Sequence, residues 1–552
     1  MKKVLSIVLI FAVVLAALLG ISALWERVRP VRETVQEEPK EQKTIANAMD
    51  AAGATVITLA QDGTTVSGLG AEVQDNRVVI GYPGTYRVTG TLESGQIIVD
   101  LGEFSGAAYI LLDGVSVACD DGPALYVRQA DLTAVYLTEG TENTLRDGED
   151  YLVQEVQEKK TGAGIYSADD LLIYGDGALT VIGASADGIR SKDALIVAGG
   201  TLRVNAADDG MQASDLLDIY AGDITVSCYG DGLSTTEGSV TVYGGSVDIR
   251  CGGDGFDAIT DLTVWDGSIS VTAYGGAENY ETIALEEISA KGMKAEMIGL
   301  YGGTIRLDTA DDGIHAARDA AISDCSLVIT AGDDAVHAAN LLDIRRSELV
   351  ASASYEGVEG DAVLISETAL TVTAENNAVD AGEGGVTAYD SEFVFTAPRA
   401  ISSDGVLHML GGSVTLMADG TDSLFSFAEA NVIGARILAG ADTGRSEVLL
   451  AKGMIPGSML FGFAEALPAG TELVITDPSG EVVFSAAFDR DVETVYLALG
   501  GLLEGQTYTL TAGENAVQFT YAADGCFIEE PEITFPQGGF GGFPGFPGGP
   551  RR

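Results

Sequence analysis

Between residues 206 and 339 the apolar positions fall in short alternating runs. Starting from Asp209 they are Met211, then Leu217 and Ile219, then Ile224 and Val226. The next copy gives Leu233, Val240 and Val242, Val247 and Ile249; the one after gives Phe256, Leu262 and Val264, Ile269 and Val271. Apolar pairs at i and i+2 have the period of half-buried strands, not of helices. Gly199-Gly200, Gly244-Gly245, Asp266-Gly267 and Gly302-Gly303 stand before the third run of their copies, where a sharp corner needs positive φ.

An acid marks the same point of each copy: Asp187, Asp209, Asp231, Asp254, Asp312 and Asp334, mostly 22 or 23 residues apart. Between Asp254 and Asp312 stand an inserted loop and one further copy, Ser289–Met293, with Lys291 at the acid's position. Glu356 and Asn377 continue the phase. A fixed period in this range predicts a stacked repeat. Three strands and three corners in about 22 residues predict one rung of a parallel β-helix, with neighbouring rungs about 4.8 Å apart. The expected fold class is therefore all-β, a parallel β-helix with a small C-terminal β module.

Along the chain, residues 1–25 carry two lysines and then the uncharged apolar run Val4–Trp25, expected to be a signal peptide or an N-terminal membrane anchor. Residues 26–54 are polar and read as a tether, and residues 55–445 as the β-helix. Within it, Glu142–Thr161 and Gly275–Ser289 are expected as loops, since insertions into a solenoid map to its surface. Residues 446–525 are expected to form a β-sandwich-like cap over the open strand edge, and 526–552 a disordered Gly/Phe/Pro-rich tail. Cys228 and Cys251 should stack on neighbouring rungs, as free thiols or as a disulfide.

Composition sharpens the functional reading. With 82 acidic and 30 basic residues the net charge is −52, which argues against nucleic acid and anionic membrane surfaces as partners. Any membrane association falls to the N-terminal segment. A soluble monomer on the outside of the cell, secreted or anchored, is expected.

Carboxylates repeated every rung would repel by roughly 1 kcal/mol per pair in water and roughly 3 at an effective dielectric of 20. A hard divalent cation held by carboxylates and corner carbonyls would relieve this, and Ca²⁺, with six to eight oxygen ligands, suits the geometry. The candidate ligands are Asp208, Asp209, Asp231, Asp254, Asp311, Asp312, Asp333 and Asp334, although Asp-Gly is also simply good turn chemistry.

The outward residue one step past each buried apolar position forms a second column: Arg190, Gln212, Ser234, Asp257, Lys294, His315, His337 and Glu359. Lys294, His315 and His337, with Lys291 beside them, are the candidate carbohydrate-binding residues. On so acidic a chain they are where an anionic sugar could be received, and the histidines should gain charge below about pH 6.5. Uronate elimination would need a base with a pKa of about 7–10. Lys291 and Lys294 are the wrong kind of base, because neighbouring carboxylates raise a lysine's pKa. With only two Trp, no aromatic platform is evident.

Several motifs together resemble one family. They are G-T-Y-R-V-T-G-T-L at Gly84–Leu92, E-G-T-E-N-T-L at Glu139–Leu145, the D-D-G-I/M series, S-A-K-G-M-K-A at Ser289–Ala295, S-Y-E-G-V-E-G at Ser354–Gly360, and a Gly-rich tail. Over roughly residues 55 to 525 the chain resembles the clostridial calcium-binding cell-surface carbohydrate-binding proteins. That resemblance implies a right-handed parallel β-helix, pectate-lyase-like in shape. It also implies calcium-dependent, non-catalytic binding of plant cell-wall polysaccharide, cellulose or pectin-like acidic chains. A structural or adhesive surface protein without a glycan ligand, and a calcium-dependent polysaccharide lyase, are the alternatives.

Overall fold

Sixty-five per cent of the chain is strand in the computed structural model, wound into a parallel β-solenoid of about 15 turns. The structure describes residues 53–148, 162–418, 425–441, 458–522 and 526–528. The expected N-terminal segment of residues 1–25, most of the tether and all of the tail but 526–528 lie outside these. No helix among the described residues is long and apolar enough to cross a membrane.

The alternating runs form the rungs expected of them. Met211–Ala213 is a first strand, and Leu216–Cys228 runs through the second and third, turning at Gly222. Each strand pairs in parallel with its counterpart on the next rung, which puts like residues over one another. One inward column reads Met211, Leu233, Phe256, Met293, Ile314, Val336 and Val358. Another reads Ile224, Val247, Ile269, Ile305, Leu327 and Leu349. None of these is more than 2% exposed, so each contributes roughly 1.5–3 kcal/mol of burial to the stack.

The corner before the third strand needs glycine for a stated reason. Gly245 has φ 93°, and a Cβ there would sit 2.7 Å from the carbonyl oxygen of Gly222 on the preceding rung. Later rungs solve the corner differently. Asp324, Arg346, Glu367 and Asp390 take positive φ without being glycine. The residues that follow them, Cys325, Ser347, Thr368 and Ser391, hydrogen-bond from rung to rung through side chain and backbone. Cys228 and Cys251 are stacked, buried and free.

Two expected loops are corrected in part. Of the expected loop Glu142–Thr161, Glu142–Arg146 is a strand paired with Ala178–Gly183, because Asn143 and Leu145 point inward while the charged residues point out, and residues 149–161 lie outside the described residues. The insertion after Gly275 holds a short helix, Tyr280–Glu286, pinned by the buried Ile283 and ended by Glu287 in the left-handed region. Antiparallel pairings occupy both ends of the solenoid. Thr55–Leu59 pairs with Thr65–Ser67 and Ala71–Gln74 with Arg77–Ile80. At the far end Val492–Leu499 runs antiparallel to Arg436–Ala441, covering its open edge. A second apolar cluster that includes Phe461, Leu473, Ile475, Leu497 and Phe519 lies there, with a four-stranded antiparallel sheet.

Candidate functional site

The ladder acids sit on the corner that opens the first strand, and their two oxygens divide the work. One oxygen accepts the backbone N–H of the next rung. Asp209 Oδ1 takes the amide of Asp231 at 2.8 Å, Asp231 Oδ1 that of Asp254 at 2.7 Å, Asp254 Oδ1 that of Lys291 at 2.7 Å, and Asp312 Oδ1 that of Asp334 at 3.1 Å. The ladder is therefore a run of side-chain caps on rung corners, each satisfying a donor that the sheets leave over.

The second oxygen faces the outward column, whose register is as expected from Arg190 through Gln212, Ser234, Asp257, Lys294, His315 and His337 to Glu359. The column residue three places on supplies the donor. Arg190 reaches Asp187 at 3.0 Å, Gln212 donates to Asp209 at 2.6 Å, and His315 Nδ1 lies 2.7 Å from Asp312. His337 Nδ1 lies 3.6 Å from Asp334 and 2.7 Å from Glu359. The lysine rung serves its neighbours on both sides. Lys294 Nζ bridges Asp254 at 2.9 Å and Asp257 at 3.0 Å, while Lys291 Nζ bridges Asp311 at 2.9 Å and Asp312 at 2.6 Å. Ser289, delivered by the insertion, also donates to Asp254 at 2.7 Å.

The expected basic strip is thus in place but not free. Lys291, Lys294, His315 and His337 are half-buried, and their charges are matched by acids of the same face. The two imidazoles stack with centroids 4.8 Å apart and 7° between planes. The carboxylates of Asp334 and Glu359, facing the ring N–H, push His337 up to about 10, so it does not gain charge between pH 7.5 and 6 as its sequence position suggested. Burial works to raise the Asp312 carboxyl, but His315 and Lys291 outweigh it and hold it at about 2. At Asp231, which has no such partner among the described residues, burial and then Asp254 and Asp209 push the carboxyl up to about 7.

These contacts sort the eight acids expected to hold a metal. Asp311, Asp312 and Asp333 present ligand atoms within 4.8 Å of one another, and Asp334 joins His337 and Glu359 in the same way. Asp208, Asp209, Asp231 and Asp254 belong to no such group among the described residues, and both oxygens of Asp209 and Asp254 are engaged by the protein's own donors. Among the described residues the acids placed to share a cation are therefore those of the later rungs, although Asp312 there also has both oxygens engaged, by the Asp334 amide and by Lys291 and His315. A third group, Glu356, Glu359 and Asp380, was not among the expected ligands. Burial, then Asp380, Asp334 and Glu359, pushes the Glu356 carboxyl up to about 8.

The second strand carries a column that sequence reading missed. Tyr136 lies over Tyr174, Tyr220 stacks on Tyr243 at 4.3 Å and 5°, and Trp265 on Tyr301 at 4.8 Å. All six are half-buried. Beside Tyr220, Asp218 is 4% exposed, and burial raises its carboxyl to about 6.

The chain is similar to known proteins in three respects. A solved structure titled a polysaccharide lyase-like protein from C. thermocellum, a gadolinium derivative, aligns with 46% of this chain and 96% of its own, at 27% identity and a TM-score of 0.38. A carbohydrate-binding domain-containing protein of Acetivibrio thermocellus is 38% identical over 136 residues, 24% of this chain. The alignment spans 47% of that relative, about half its length. Residues 74–335, the rungs that hold every ladder acid from Asp187 to Asp334, match the family model of carbohydrate-binding domain-containing proteins.

Proposed function

We propose that the chain binds polysaccharide without cleaving it, on the outside of the cell, as a monomer and with calcium. The observation that carries this reading is the family match, which spans the rungs holding the ladder acids from Asp187 to Asp334, with Lys291, Lys294 and His315. A polymer laid along the solenoid axis meets one polar side chain every rung, about 4.8 Å apart. The lysines and histidines there are already neutralised, so an acidic glycan of the pectin type needs a cation between its carboxylates and Asp311, Asp312 and Asp333. These three carboxylates would hold the calcium ion, which supplies the bridging charge. Cellulose, being neutral, would instead use the Tyr220–Tyr243 and Trp265–Tyr301 stacks.

Support for a non-catalytic role comes from the lysines. Burial works to lower Lys294, but Asp254 and Asp257 outweigh it and raise its pKa, so the ammonium is unfit to abstract a sugar proton near neutral pH. Sedimentation with insoluble polygalacturonate and with cellulose, each with calcium and with chelator, tests the proposal. Retention on polygalacturonate that chelator abolishes, with no ultraviolet-absorbing unsaturated ends released, is the expected result. Retention on cellulose alone, lost in Tyr243→Ala, would move the site to the aromatic column. Failure to bind either polymer would overturn the reading in favour of a structural surface protein, and release of unsaturated ends would make the protein a lyase.

A further inference from the structure

The partner rule of the ladder fails most fully at Glu356. At Asp187, Asp209, Asp312 and Asp334 the column residue three positions on is a donor: Arg190, Gln212, His315 and His337. At Glu356 that residue is Glu359, another acid. The same conflict arises at Asp254 and Asp257, where the next rung resolves it by placing Lys294 Nζ between the two carboxylates. After Glu356 and Glu359 the next rung offers Asp380 at that position, which is paired in register with Glu359. Three carboxylates converge where the pattern calls for a cation, their ligand atoms within 4.8 Å of one another.

Glu356 supplies an independent observation. It is 7% exposed, and its carboxylate is oriented by Asn376 and Asn377, whose side-chain amides donate to Oε1 at 2.8 and 3.0 Å. Oε2 is buried and accepts no hydrogen bond among the described residues. A buried carboxylate oxygen left without a partner is costly and calls for a bound group. His337 Nδ1, 2.7 Å from Glu359 Oε2, is the one cationic side chain of the described residues within ion-pair distance of any of the three acids.

We propose that Glu356, Glu359 and Asp380 form a binding site for a hard divalent cation of the calcium type. Three carboxylates offer as many as six oxygens, with no regular octahedral arrangement among them, and Ca²⁺ tolerates such irregular oxygen sets better than Mg²⁺, which demands a strict octahedron. The absence of sulfur, and the engagement of His337 Nδ1 with Glu359, disfavour soft transition metals. The cation does here what the Lys294 ammonium does through ion pairs at Asp254 and Asp257. The site lies beyond residue 335, outside the span of the family match, and it holds whether or not the chain binds glycan.

Calcium titration of the chelator-stripped full chain by calorimetry, with terbium luminescence as a second readout, tests the site. Glu356→Gln keeps the shape and the Asn376 and Asn377 contacts but removes the charge, and Asp380→Asn does the same from the next rung. Each is expected to lose one equivalent of calcium, or to weaken that equivalent at least tenfold, and to lose the corresponding terbium signal. Asp311→Asn/Asp333→Asn, in the other acidic group, is expected to keep it. Without metal, Glu356→Gln should melt at or above the temperature of the parent; with saturating calcium the order should reverse. Unchanged stoichiometry and affinity in both single variants, or no equivalent bound by the parent at millimolar calcium, would overturn the proposal. A large loss of melting temperature in metal-free Glu356→Gln would also count against it, since it would assign Oε2 a partner within the protein.

Discussion

Replacing Lys291 with methionine removes a charge while keeping length and apolar volume, and its cost follows from the geometry. The ammonium lies 2.9 Å from Asp311 and 2.6 Å from Asp312, with the lysine side chain 15% exposed and that of Asp312 6% exposed. Losing two charge-assisted hydrogen bonds removes about 1.5–3 kcal/mol each. It also leaves Asp311, Asp312 and Asp333, with ligand atoms within 4.8 Å, to repel one another by about 3.5 kcal/mol per pair at an effective dielectric of 20. His315 still faces Asp312, and protonation of one acid relieves part of the repulsion. The net destabilisation is therefore set near 3 kcal/mol, the lower end for breaking one side of a buried ion pair.

A solenoid opens rung by rung, so a global melting curve dilutes such a defect. Hydrogen exchange at the amides of Gly292, Gly313 and Asp334, all of which bond across these rungs, reads it directly. Exchange there should quicken roughly 100-fold in Lys291→Met, because about 1.4 kcal/mol is a factor of ten. Amides beside Gly222 should not change. Asp312 is held down at about 2, so its pairing stabilises fully above the ordinary aspartate value and is lost as the pH falls through 2. The deficit of the variant should accordingly be greatest near neutrality and shrink in acid. Added calcium should restore protection in the variant by taking the place of the ammonium. Unchanged exchange at the three amides, or a deficit that persists undiminished at pH 2, would refute the electrostatic account of the lysine rung.

Two further outcomes are expected. His337→Gln should cost about 2 kcal/mol in denaturant titrations, as for loss of a charge-assisted bond. Because the histidine's pKa is raised to about 10, that deficit should be complete below pH 6.5 and fade as the pH rises through 10. Gly245→Ala should lower stability by about 2 kcal/mol, since the positive φ alone costs about 1–2 and the new Cβ would press on the Gly222 carbonyl.

The rung was legible because its signals recur at one phase. Met211, Leu233 and Phe256 keep a constant distance from the marked acid, and glycine marks the corner before the third strand. The aromatic column was not legible, because its phase drifts. Tyr220, Tyr243, Trp265 and Tyr301 fall 11, 12, 11 and 10 residues after Asp209, Asp231, Asp254 and Lys291 respectively. The drift arises at the corner between first and second strands, and within the second strand each aromatic keeps a fixed distance from the buried residues Leu217, Val240, Leu262 and Ile298, which lie in register. The residues of the acidic stripe were placed correctly in register, but their chemistry was not. Whether an oxygen of Asp254 is spent on an amide, a serine or a lysine depends on what the insertion carries back to it from 35 to 40 residues away. No local pattern encodes that choice.

The division of labour within each acid changes what the repeat demands. If the repeating requirement were a metal ligand, every rung would need two free carboxylate oxygens. Instead Oδ1 of Asp209, Asp231, Asp254 and Asp312 caps the amide of the following rung, which requires an acceptor but no cation. The charge is a by-product of using aspartate for that cap, and each rung disposes of it with whatever the column offers. Asp187 has an arginine, Asp209 a glutamine and a serine, Asp254 a lysine from the next rung, and Asp312 a lysine and a histidine. Repulsion along the stripe is therefore settled locally, and among the described residues the acids that converge closely enough to share a cation fall on a few rungs. Those are the rungs from Asp311 to Asp380, and a bound ion there would also present spare coordination positions to an acidic ligand lying along the same face.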